Sequence, residues 1–126
     1  MEDQLALRLE TLVQGDIITP EEYLLLEEAA ELMEKHCGSP LTDNHGGMFL
    51  SHLAMAIHRT RQGEDVVCPA DIGVQQLTSY PQYPAACRLT ADILALLGLS
   101  LPQGEVEYMH IHICNLLQKE KDHAAL

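Results

Sequence analysis

The residues of this 126-residue chain best suited to chemistry are its seven histidines: His36, His45, His52, His58, His110, His112 and His123. An imidazole with its ordinary pKa of ~6.5 is mostly neutral at neutral pH, so it can serve as nucleophile, proton acceptor or metal ligand. Which of the seven is placed for such work depends on the element that carries it. On a helical wheel of about 100° per residue, residues 48–62 gather Phe49, Leu53, Ala56, Ile57 and Thr60 on one apolar face. His52 falls at the edge of that face, Arg59 lies two turns on along nearly the same line, and His58 turns toward solvent. Near the end of the chain Val106, Met109, Ile113, Leu116 and Leu117 form a second apolar face. His112 stands at one edge beside Tyr108, and His110 at the other edge near Cys114.

A histidine on the border between core and water is half supported by packing and still open to a partner. Those are the requirements of a phosphoryl acceptor. The added group brings close to two negative charges (about −1.5 to −2). Arg59 is the nearby cation and carboxylates are plentiful, so the response is either repulsion between helices or a clamp on the guanidinium. The plainer reading of a border histidine is a packed, hydrogen-bonded residue. His36, His45, His58 and His123 read as surface or loop residues, and Cys87 and Cys114 as core thiols. Glu27, Glu28, Glu31 and Glu34 read as a solvated helix face; none forms an isolated acidic pair suited to catalysis. His110-Ile111-His112 offers a different chemistry. On a strand, residues two apart share a face and could clamp a metal ion with His52 or Glu105. On a helix they diverge by about 160°, which makes a shared ion awkward.

The punctuation of the sequence favours helices throughout. Residues 3–13 read as a first helix that stops at Gly15. Thr19-Pro20-Glu21-Glu22 is a start signal, with Thr19 as cap, proline where its missing N–H costs nothing, and Glu22 closing a capping box. Leu25, Ala29 and Leu32, beside Leu26, Ala30 and Met33, carry the helical repeat until Gly38 and Pro40 end it. Residues 42–47 are a polar loop. A third helix spans 48–62 with Gly63 as its stop and Arg59 and Arg61 near its C-terminal end. Residues 64–84 are rich in turn formers. A fourth helix spans 84–97 and stops at Gly98. A fifth opens after Ser100 and runs to about Lys119, leaving 122–126 as a frayed tail. The expected fold is all-α, a compact five-helix bundle in which residues 1–126 form a single domain.

Bulk composition limits the partners. Nineteen acidic residues face seven basic ones, for a formal net charge of −12. Such a surface repels nucleic acid and anionic lipid and suits a basic docking protein. Cys37, Cys68, Cys87 and Cys114 are too scattered to form a Cys-x-x-Cys pair. Isolated thiols suit a reducing compartment. The opening residues lack the basic and apolar blocks of a signal peptide, and no apolar run approaches the ~20 residues that a bilayer needs. A cytoplasmic location is expected, with no cofactor and no resident metal.

Three segments carry a resemblance. Phe49-Leu50-Ser51-His52-Leu53-Ala54-Met55-Ala56-Ile57-His58-Arg59, closing at Gly63, resembles the first histidine motif of the PRD family, the phosphotransferase-system regulation domain. Glu105-Val106-Glu107-Tyr108-Met109-His110-Ile111-His112-Ile113 resembles the second. Tyr80-Pro81-Gln82-Tyr83, with Ala86, resembles the Tyr-Pro opening of the family's fourth helix. Each motif is loose alone, but the three follow in order at matching distances.

The resemblance implies a regulatory module rather than an enzyme. It would be phosphorylated on histidine by the phosphocarrier protein and enzyme II components of the sugar phosphotransferase system. In that family phosphorylation shifts dimer packing and switches an output domain, an RNA-binding antiterminator or a DNA-binding transcription activator. A homodimer is implied. The matching acceptor positions are His52 and His112, with Arg59 and Ser51 as phosphate-binding or orienting neighbours; His110 has no counterpart. The family usually carries an aspartate where this chain has Ser51, and a serine brings no charge to orient the imidazole. The family also usually carries two such domains behind an output domain. Two other readings stand beside this one: a small metal-binding protein using the His-x-His pair, and a pure interaction module that has lost phosphorylation.

Overall fold

The computed structural model describes residues 1–64 and 78–124, with side chains described as far as Lys119. Cys68, much of the expected 64–84 loop and the side chain of His123 lie outside the described residues. Among those described, five helices appear: α1 (Asp3–Gln14), α2 (Pro20–Cys37), α3 (Gly47–Arg61), α4 (Tyr83–Leu97) and α5 (Gln103–Ala124). The all-α expectation holds. The described residues contain no strand, only an isolated bridge between Thr42 and Gly46. None of their helices is long and apolar enough to cross a membrane. The chain divides into two compact units, residues 1–64 and residues 65–126.

In the first unit, α1 contributes Leu5 and Leu9, spaced one helical turn apart and both fully buried. The start of α2 follows the sequence signal closely. The Thr19 hydroxyl accepts from the Glu22 backbone N–H at 3.1 Å, and the Glu22 carboxylate accepts from the Thr19 N–H at 2.8 Å, completing the capping box. Leu26, Ala29, Ala30 and Met33 are buried, whereas Leu25 and Leu32 are only half-buried. The buried set of α3 is wider than the expected stripe. Leu50 and Ala54 join Phe49, Leu53, Ala56 and Ile57, since α3 packs against both α1 and α2. Burying each of these leucines or the phenylalanine contributes about 1.5–3 kcal/mol relative to exposure.

In the second unit α4 and α5 form a packed pair. Ala86, Leu89, Ile93 and Leu97 come from α4, and Met109, Ile113, Cys114, Leu116 and Leu117 from α5. The α4 helix ends at Gly98 in the left-handed conformation, the stop read from the sequence. The last helix runs to Ala124, beyond the expected end near Lys119, so the backbone of 122–124 is helical rather than frayed.

Candidate functional site

The histidine of α3 is positioned by what holds that helix at its two ends. At the start, loop 41–46 is tied back to the N-terminal segment. Glu2 donates its backbone N–H to the Leu41 carbonyl at 2.9 Å, and the Glu2 carboxylate accepts from the Asp43 N–H at 3.1 Å. Arg8 of α1 grips Asp43 with two hydrogen bonds, at 2.6 and 3.0 Å. That hydrogen-bonded guanidinium holds the Asp43 carboxyl below the usual aspartate range. Within the loop Thr42 and His45 exchange backbone hydrogen bonds. Gly46, which caps α3, has φ of +116°. A Cβ there would sit 3.0–3.2 Å from the side chain of buried Leu41, so both the dihedral and the close approach call for glycine.

At the other end of α3, Nδ1 of His58 lies 2.9 Å from the Ile17 carbonyl, and Nη2 of Arg61 donates to the same oxygen at 2.9 Å. Arg61 also pairs with Glu22 at 2.8 Å, the carboxylate that closes the α2 capping box. His58 is therefore half-buried in a joint rather than pointing to solvent as the wheel suggested. The wheel treats a helix as isolated, whereas residues 15–19 fold back over this end of α3.

Between these anchors His52 is half-buried, five residues after the start of α3. Arg59, seven residues further on, is half-buried too. Ser51 is half-buried, and its Oγ is buried without a hydrogen-bond partner among the described residues. It therefore makes no hydrogen bond to the His52 ring and does not orient it here. In the second unit His112 is half-buried on α5 between buried Met109 and Leu116, with Ile113 and Cys114 buried just after it. Both acceptor candidates thus occupy the border positions that periodicity gives them. His36 is exposed, and His45 is half-buried in its loop.

Sequence reasoning missed two features of the second unit. Glu105, which opens the second motif, is only 1% exposed. The other is a group of four side chains. The rings of Tyr83 and His110 meet edge-to-face, with centroids 6.1 Å apart at 84°. Hydrogen bonding with Cys87, followed by burial, pushes the Tyr83 hydroxyl up, and Cys114 adds to this. Burial lowers the His110 pKa, opposed by the charge of Glu107. Burial raises the Cys114 thiol. The legible signal was a shared spacing, Tyr83 to Cys87 and His110 to Cys114, each one turn apart on adjoining helices. Cys114 is buried as expected, while Cys87 is half-buried. His110 and His112 lie within a continuous helix, so the strand geometry that a His-x-His clamp needs is not formed. Among the described residues no three histidine, cysteine or acidic side chains are grouped to hold a metal ion.

The family model of the PRD domain matches residues 27–116. The chain belongs to the PRD family. The matched stretch begins within α2 and includes His52, Arg59 and His112. No curated protein and no solved structure matches the chain. PRD domains are helical regulatory modules linked to the sugar phosphotransferase system, and that general role passes to this PRD chain. In it, one border histidine sits on a helix anchored at both ends, and the other on the longest helix described.

Proposed function

We propose that this PRD chain is a phosphorylation-sensing regulatory module, not an enzyme, with His52 and His112 as phosphoryl acceptors. The observation that supports this most is the family match across both histidine helices, with each histidine half-buried at the edge of an apolar face. A neutral imidazole attacks phosphorus, the donor's bond to phosphorus breaks, and a dianionic group of about −1.5 to −2 charge remains. The donors are the phosphocarrier protein and an enzyme II component. Arg59, on the line of His52, is the guanidinium that pairs with phosphate on that ring. The output is a change in self-association, or in the hold on a partner regulator, in sugar-responsive gene control in the cytoplasm. Residues 1–126 act together as one sensing domain.

His112 is the stronger acceptor. Ser51 stands where the family usually has a carboxylate next to the first histidine, and its hydroxyl makes no compensating hydrogen bond. The same observation favours a second reading, a pure protein-interaction module that has lost phosphorylation.

The test is incubation with phosphoenolpyruvate, enzyme I, the phosphocarrier protein and matched enzyme II components, followed by assay of acid-labile phosphate. His112→Ala should remove most of the label, His52→Ala a smaller share, and the double variant all of it. No label on the unaltered protein under any pairing removes the phosphorylation reading and leaves the interaction module.

A further inference from the structure

A groove of about 400 Å³ opens between α1 and α2, lined by Glu10, Val13, Gln14, Pro20, Tyr23 and Leu24. All six residues precede residue 27, where the family match begins, so the groove lies on the part of the chain that the family model leaves unmatched. Its apolar side is open to solvent. Leu24, in its lining, is 59% exposed.

The charge around the groove has one sign. Residues 1–34 contain ten carboxylates and a single basic side chain, Arg8. Arg8 is already committed to Asp43. Tyr23 shows how near two of the carboxylates come. Burial raises its hydroxyl pKa first, and the negative charges of Glu27 and Glu10 raise it further.

This combination selects among occupants. A second copy docking groove to groove would bring the carboxylates of Glu10 and Glu27 against the same carboxylate-lined surface of its partner, and like charges brought together cost binding. Anionic lipid and nucleic acid meet the same repulsion. An open, mainly apolar groove between two helices, with carboxylates beside it, instead matches a helix with a leucine-type stripe flanked by lysine or arginine. We propose that the α1–α2 groove of this chain is a docking site for a basic amphipathic helix of a partner protein. Leu24 and Val13 supply the apolar floor, and Glu10 and Glu27 pair with the partner's cations at the rim.

The experiment uses the full chain and a synthetic helix-forming peptide of about 18 residues with a leucine stripe and lysines elsewhere. A second peptide carries glutamate in place of every lysine. Binding is read by fluorescence anisotropy, and its location by backbone amide chemical shifts. The lysine peptide should shift amides of residues 10–14 and 20–27, and its affinity should fall as salt screens the rim. Leu24→Ser, on an exposed side chain that the fold does not need, should weaken it about tenfold. The pair Glu10→Gln with Glu27→Gln should weaken it and flatten the salt dependence, while Lys35→Ala should leave it unchanged. Shifts confined to other surfaces, equal binding of the glutamate peptide, or full affinity in Leu24→Ser would each overturn the proposal. So would a change of oligomeric state in Leu24→Ser, which would assign the groove to a second copy. Binding of the protein to phosphatidylserine–phosphatidylcholine vesicles would assign it to lipid and overturn the proposal equally.

Discussion

The two histidine helices are held in different ways. The first unit buries Phe49, Leu50, Leu53 and Ile57 of α3 and, in addition, fixes the two ends of that helix through directional polar contacts. Arg8 and Asp43 anchor the loop before it, and Arg61, Glu22 and the Ile17 carbonyl anchor the turn after it. The second unit holds α5 along its length, by burying Met109, Ile113, Leu116 and Leu117 in the pair with α4. Polar ends define where a helix starts and stops, but they respond to pH and salt. Lateral apolar packing is indifferent to salt and sensitive to volume. The same kind of residue, a border histidine, is thus presented on two supports with different weaknesses.

The largest effects should come from the apolar positions. Leu53→Ala and Ile113→Ala each remove a fully buried aliphatic side chain and should each cost about 2–5 kcal/mol. Amide exchange read residue by residue should show α1–α3 loosening first in the former and α4–α5 in the latter. Equal loosening everywhere in either variant would erase the distinction between the supports. A smaller loss, about 1–2 kcal/mol, is expected for Glu22→Ala, which removes both the capping box and the partner of Arg61. Denaturant titration at low and high salt should show part of that loss disappearing as salt rises, because the ion pair is partly exposed.

The pH responses should separate the units again. His110 has a lowered pKa in the fold, through burial, so the unfolded chain binds more protons below its own value of ~6.5. Stability from this residue is present above pH ~6.5 and lost as pH falls toward the folded pKa. Asp43 is also lowered, by Arg8, so its contribution stays until pH falls through a range below the usual aspartate value. On acidification, exchange in α4–α5 should rise first and that in α1–α3 later, and His110→Gln should abolish the earlier step. The smallest effect is expected at Lys35, whose 3.7 Å pair with Glu31 is exposed on both sides. Lys35→Ala should change stability by no more than about 0.5 kcal/mol in a thermal melt.

Much of this was readable from residue order because it depends on local rules. Thr19, Pro20 and Glu22 start α2 through contacts within one turn, and Gly38 and Gly98 end helices through their own backbone freedom. The border positions of His52 and His112 follow from periodicity alone. What escaped depends on residues far apart in the chain. His58 meets Ile17 across 41 positions, and Arg61 meets Glu22 across 39. No helical wheel contains those partners. The edge-to-face contact of Tyr83 with His110 likewise needed two helices in register. The role of Ser51 was the hardest to read. A motif can show that a carboxylate is missing, but only coordinates show that the serine's oxygen is buried without a partner.

The joint between His58 and Ile17 has a consequence for how the ring carries its hydrogens. A carbonyl oxygen can only accept, so the 2.9 Å contact puts a hydrogen on Nδ1 and leaves Nε2 with the lone pair in the neutral ring. Taking up a proton then fills Nε2 and leaves the contact intact. The turn after α1 therefore stays latched to α3 in either protonation state of this imidazole.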